Sequence, residues 1–257
     1  MGALHDGHAA LIERARSQNT LVLVSVFVNP LQFGEASDLQ RYPRDLAGDV
    51  TRCTAAGADL VWAPELTDVF PAGAPQVTVD PGPAGAQLEG AARPGHFAGA
   101  LTMVAKLLGA IRPDRAYFGE KDYQQLELVR RMVTDLDLAG QVVAVPTVRE
   151  PDGLARSSRN VFLTPADRRA ALALPRALTA AAAAATSTAG DAQAVLDAAR
   201  RELAELSLDY LALRAPDLGP APAAGPARLL VAAKIGTVRL IDNVAVELAT
   251  RVGRGRS

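Results

Sequence analysis

The sequence predicts an α/β protein, a Rossmann-like parallel sheet with helices on both faces followed by a smaller C-terminal α+β domain. Three observations carry this. Over residues 1–146 apolar β-branched runs alternate with amphipathic stretches, the signature of βαβ units in a sheet covered on both faces. After Pro146 the order changes to turn-rich sequence, then alanine-rich helices, then strands, which reads as a separate unit over 147–257. At 257 residues the chain exceeds the usual single domain yet is short for two full ones.

In the first domain the expected strands are Leu21–Val28, Asp59–Trp62, Arg115–Phe118 and Gln141–Val145. The helices between them are expected near Gly7–Gln18, Ser37–Ala56, Ala98–Ile111 and Tyr123–Leu136. Phe70–Gly95 is rich in proline and glycine, and loops of more than about 12 to 15 residues in a compact domain are often functional, so it is a candidate cover for a site. In the second domain helices are expected over Pro165–Ala185 and Asp191–Leu206, then strands at Ser207–Arg214, Arg228–Ala233 and Thr237–Asp242. Gly219–Pro226 has the composition of a flexible surface loop.

Composition narrows the function. Hydrophobic residues make up 49% and charged residues 21%, and no apolar run approaches the roughly 18 residues of a membrane span. A formal net charge of -1 gives no electrostatic reason for nucleic-acid or membrane binding, and the short arginine-containing tail Arg251–Arg256 does not change that. Cys53 is the single cysteine and Met1 opens no signal peptide, so the expected compartment is a reducing cytoplasm. Lysines and histidines number three each. These scarce residues fall in segments that stand out on other grounds.

MGALHDGH places His5 and His8 around Gly7, just ahead of an amphipathic stretch. Free backbone N–H groups and the positive end of the helix dipole bind anions there, and imidazoles can donate to phosphate oxygens. Read alone, the same motif is equally an ordinary helix cap, and no third ligand at metal spacing supports zinc. SVFVNPLQFG ends a strand in Asn29-Pro30 and presents Gln32 at its carboxyl end, where open α/β sheets bind ligands; a neutral amide suits a small hydroxy acid, donating to one oxygen and accepting from a hydroxyl. RPGHFAGALTMVAKLL sets His96 in a basic turn ahead of a helix carrying Lys106, a candidate anion or dimer-contact element. FGEKDYQQL puts Gly119, Glu120, Lys121 and Asp122 at another strand end, with Gln125 one helical turn beyond Lys121. GLARSSRN concentrates Arg156, Ser157, Ser158, Arg159 and Asn160 in one turn, suited to clamping a triphosphate.

Taken in order, MGALHDGH, SVFVNPLQFG, RYPRD, LEGAARPGHFAG, GEKDYQQL, GLARSSRN and KIGTVRLIDN span nearly the whole chain, and that order resembles the pantothenate synthetase (pantoate–β-alanine ligase) family of the nucleotidyltransferase superfamily. The resemblance implies condensation of pantoate with β-alanine through a pantoyl-adenylate, with ATP as substrate, Mg2+ held mainly by the phosphates, and a homodimer. It implies ATP contacts from Met1, Gly2, Ala3, Leu4, His5, Asp6, Gly7 and His8, from Gly119, Glu120, Lys121 and Asp122, from Val148, and from Arg156, Ser157, Ser158 and Arg159. Within that set His8 is implied as proton donor, with His5, Lys121 and Arg159 also catalytic. Gln32 and Gln125 would hold pantoate, Asp49 would be an indirect metal ligand, and 147–257 would close over the ATP site.

Two departures stand out. In the family a strand of the parallel sheet precedes the motif methionine, here Met1, and without it Leu21–Val28 lacks a neighbour; the expectation is a misplaced start. Arg156 stands where the family commonly has an uncharged residue. Another nucleotidyltransferase of the same superfamily, or an inactive chain acting only as a binding or dimer partner, remains an open alternative.

Overall fold

The computed structural model describes residues 2–34, 39–40, 42–187 and 191–249. Met1, part of the expected helix Ser37–Ala56 and the tail Arg251–Arg256 lie outside the described residues. The chain forms two compact units: Met1–Val148 with Arg156–Ser158, and Arg149–Ala155 with Arg159–Ser257.

The first unit opens with α1 (Asp6–Arg16), whose inner face carries Ile12 and Ala15. These pack against Val22, Val26, Cys53 and Ala56. Strand β1 (Leu23–Ser25) leads through α2 (Leu46–Ala55) to β2 (Leu60–Trp62), which pairs parallel to β1 with Leu23 opposite Leu60. Short α3 (Leu66–Val69) and α4 (Glu89–Ala92) precede α5 (His96–Ile111). Strand β3 (Arg115–Gly119), helix α6 (Tyr123–Asp135) and strand β4 (Gln141–Val145) then complete a second parallel pair, with Arg115 opposite Gln141. Phe97, Leu101 and Leu108 of α5 and Leu128, Val129 and Met132 of α6 form the core beneath it.

The parallel α/β arrangement is the one expected, but the strands form two separate pairs rather than one continuous sheet. Among the described strands β1 has β2 as its only laddered partner, and β3 has β4. A strand held on one side loses its ends first, which accounts for the shortening of Leu21–Val28 to Leu23–Ser25. It also leaves Leu21, Leu23 and Leu60 exposed.

The Phe70–Gly95 segment is more ordered than a plain loop, with a 3-10 turn at Pro83–Ala86 and then α4. Gln124, buried on α6, holds it: its Nε2 donates to Ala84 O and Gln87 O, both at 2.8 Å, and its Oε1 accepts from Glu89 N at 2.9 Å.

In the second unit β5 (Ser207–Arg214), β6 (Gly225–Ile235) and β7 (Val238–Leu248) form an antiparallel sheet in the order β5-β6-β7. It is packed by α7 (Pro165–Ala171), α8 (Ala173–Thr186) and α9 (Ala192–Glu202). Ala173, Ala177, Ala181 and Ala185 recur every fourth residue and are all buried, so α8 presents a ridge of methyl groups to its neighbours. The expected single helix Pro165–Ala185 divides at Leu172 because Pro175 has no N–H for the carbonyl of Ala171 and so falls in the first turn of a new helix. Gly225 and Pro226, expected in a loop, are the first residues of β6, opposite Leu248 and Glu247. No helix among the described residues is long and apolar enough to cross a membrane.

Candidate active site

His5 is the N-cap of α1 and His8 lies one turn into it, their ring centroids 4.0 Å apart. The two cap each other's backbone. His5 N donates to His8 Nδ1 at 3.2 Å, and Gly7 N donates to His5 Nδ1 at 3.1 Å. A ring nitrogen that accepts cannot carry a proton, so both imidazoles are neutral with the hydrogen on Nε2. Burial pushes His5 down to about 4 and His8 to about 3, helped at His5 by the charges of Lys121 and Arg156, and at His8 by His5. Gly7 is required by the same packing, since a Cβ there would stand 2.9 Å from the His5 ring.

The loop before α1 is held from below. Asp49, buried on α2, accepts from Ala3 N at 3.0 Å with one carboxylate oxygen and from Leu4 N at 2.6 Å with the other. Ala3 has φ 54°, a left-handed conformation unusual for a residue with a side chain, and the paired bonds stabilise it. Asp49, which the resemblance implies as an indirect metal ligand, also anchors the loop. Tyr42 OH donates to Gly2 O at 3.4 Å and lies 3.3 Å from Ser158 Oγ.

Lys121 and Asp122 occupy a 3-10 turn at the carboxyl end of β3, 3.9 Å apart, and both impose their charge on the two imidazoles. Arg156 Nε donates to Asp6 Oδ2 at 3.0 Å, and its Nη2 donates to the same oxygen; this holds the Asp6 carboxyl below its ordinary range. Arg156 N in turn donates to Val148 O at 2.9 Å. His5, His8, Lys121, Asp122 and Arg156 are therefore one electrostatic group within the first unit.

Gln32 closes a 3-10 turn, Pro30–Gln32, at the carboxyl end of β1. Buried Asn29 fixes its orientation. Leu31 N donates to Asn29 Oδ1 at 3.1 Å, while Asn29 Nδ2 donates to Gly99 O at 3.1 Å and to Gln32 Oε1 at 3.2 Å. The backbone donor and the backbone acceptor leave only one orientation for the Asn29 amide, so Gln32 must give it oxygen and keep Nε2 as its donor. Gln32 thus presents Nε2 as a donor, while Oε1, which accepts from Asn29, keeps a second lone pair. Gln125 lies half-buried in the first turn of α6, beside the loop-holding Gln124.

Arg159 belongs to the second unit. Its turn is anchored there by Asn160, whose Nδ2 donates to Glu150 Oε1 at 2.7 Å and Ala155 O at 3.1 Å. The preceding hairpin is tied to β7 by Arg149, which grips buried Asp242 through two bonds of 2.7 and 3.0 Å.

Residues 1–245 match the family model described as pantoate-beta-alanine ligase. The chain belongs to that family. It is similar to the pantothenate synthetase of Nocardia farcinica, with 57% identity over 256 residues, 98% of this chain and 79% of the relative. The pantothenate synthetase of Saccharopolyspora erythraea is 58% identical over 252 residues, 96% of this chain and 82% of that one. Among solved structures, pantothenate synthetase from Thermus thermophilus superposes with a TM-score of 0.89 at 51% identity, covering 95% of this chain and 90% of that chain. The pantoate-beta-alanine ligase of Francisella tularensis, solved in complex with beta-gamma ATP and beta-alanine, gives a TM-score of 0.78 at 36% identity, covering 95% and 86%.

Within this pantoate-beta-alanine ligase fold, sequence reading missed Asn29, Tyr42 and Gln124. Asn29 carried a signal, since an asparagine before the proline that ends a strand is placed to hydrogen-bond the turn it opens. Tyr42 and Gln124 act across about 40 residues of chain or more, and local sequence gives no sign of that.

Proposed function

We propose that this chain uses ATP to condense pantoate with β-alanine, giving pantothenate, AMP and pyrophosphate. A pantoate carboxylate oxygen attacks the α-phosphorus and pyrophosphate leaves. The neutral amine of β-alanine then attacks the acyl carbon, the bond to AMP breaks, and the nitrogen loses its extra proton. No enzyme nucleophile is required, and the protein contributes position and charge stabilisation.

The observation that carries this reading is the reciprocally capped histidine pair at the start of α1, two neutral Nε2–H donors within the field of Lys121. His5 and His8 would donate hydrogen bonds to the phosphates, each through its Nε2–H because its Nδ1 accepts a backbone N–H. Lys121 would neutralise departing phosphate charge, and Arg156, Ser157, Ser158 and Arg159 would grip the triphosphate. Gly2, Ala3, Leu4 and Gly119 to Asp122 would approach the nucleotide through backbone, with Val148 on the adenine side. Gln32 and Gln125 would hold pantoate.

Magnesium enters as part of the substrate, MgATP. Both Asp49 oxygens accept backbone N–H groups, which is compatible with a cation carried by the phosphate oxygens of the nucleotide. A homodimer belongs to the same proposal through the family resemblance, and a cytoplasmic setting through the single cysteine. The test is AMP release from ATP, magnesium and pantoate, with and without β-alanine. Turnover that requires both acids supports the ligase reading, and its absence sinks it for this chain.

A further inference from the structure

We infer that His96, with Gly99 and Arg93, is a positioning device for pantoate that acts only through Gln32; the inference rests on the role proposed for Gln32. The 3-10 turn carrying Gln32 is gripped at three points by the segment that starts α5. His96 Nδ1 donates to Gln32 O at 2.8 Å, and Arg93 Nη2 donates to the same carbonyl at 3.2 Å. Arg93 Nη1 lies 3.3 Å from His96 Nε2 and can only donate, so that nitrogen accepts and the ring proton must sit on Nδ1, where Gln32 needs it. The third point is Gly99. Its carbonyl orients Asn29, which holds Gln32 Oε1, and its missing side chain leaves room for the turn: a Cβ there would lie 2.1 Å from Leu31 O.

Both ends of Gln32 are thus fixed by one short segment, Arg93 to Gly99, the backbone carbonyl by His96 and Arg93 and the side-chain oxygen by Gly99 through Asn29. His96 is buried, so its task is to hold the backbone that aims the amide. A residue of this kind sets how well pantoate is held and leaves the ATP side alone.

The experiment is steady-state kinetics on the full chain, varying pantoate and ATP separately, for His96→Ala, His96→Asn, His96→Gln and Gly99→Ala. An asparagine amide nitrogen lies where Nδ1 of histidine lies, while that of glutamine lies where Nε2 does. His96→Ala should raise the pantoate KM about tenfold, the scale of one lost hydrogen bond to a fixed partner, and Gly99→Ala, whose Cβ would push the Gln32 turn away, at least as much, each with the ATP KM within about twofold. His96→Asn should return the pantoate KM to within about threefold of the parent, and His96→Gln should not. Equal rises in both KM values, or glutamine rescuing as well as asparagine, would overturn the assignment. If His96→Ala unfolds, the comparison of asparagine with glutamine decides. A parent chain with no pantoate-dependent AMP release would overturn the ligase reading and this inference with it, whereas an active parent whose variants keep their pantoate KM would overturn this inference alone.

Discussion

Each of the three histidines holds a backbone group or is held by one, and that sets their response to pH. His5 and His8 are bases whose folded values, about 4 and about 3, lie below the ordinary 6.5, and burial lowers His96 as well. As pH falls through 6.5 the unfolded chain takes up protons first, so their contribution to stability is complete above about 6.5 and is lost progressively towards the folded values. The Cε1–H resonances of His5 and His8 followed by NMR should therefore stay flat from pH 8 to about 5.5; either ring titrating near 6.5 would contradict the acceptor role of its Nδ1. At Gln32, replacement by glutamate keeps an oxygen for Asn29 but turns the donor into a carboxylate, which in the proposed role would face the pantoate carboxylate. The pantoate KM of Gln32→Glu should rise about thirtyfold with the Tm nearly unchanged.

Loops and helices around the site are stabilised by a few polar anchors. Asp49→Ala would leave the N–H groups of Ala3 and Leu4 without their carboxylate, releasing a loop that includes one left-handed residue. ATP affinity measured by calorimetry should fall about tenfold, with helix content by circular dichroism preserved; unchanged affinity would show that the loop does not depend on Asp49. Arg149→Met would strand the Asp242 carboxylate in the core of the second unit and should cost about 3 kcal/mol in denaturant unfolding. The anchors divide into those the sequence could reveal and those it could not. The H-x-G-H junction was legible because glycine, cap and helix start are neighbours in the chain. Asp49 stood out only through the family resemblance; its backbone partners lie 45 and 46 residues away, so its anchoring role could not be read locally. The break at Leu172 was legible in principle from Pro175, yet the long run of alanines suggested one helix.

On the scale of the molecule, the two units are built on different hydrogen-bond patterns. The first has two parallel pairs of three and five residues, each strand bonded on one side among the described strands. The second has β6 laddered on both sides over Arg228–Lys234, with Arg228–Ala233 buried throughout. Amide hydrogen exchange should be slowest in β6 and markedly faster in β1 and β2; equal protection would show that β1 gains a partner in solution. Alternating sequence pattern foretold the strands themselves, whereas their division into pairs depends on which neighbour each edge finds. The return of Arg156–Ser158 to the first unit has a practical consequence for dissecting the protein. Cutting after Val148 removes the arginine that pairs with Asp6 and leaves it attached to the other half. A gene for the first unit alone must therefore run past Val148 to Ser158 if Asp6 is to keep its arginine.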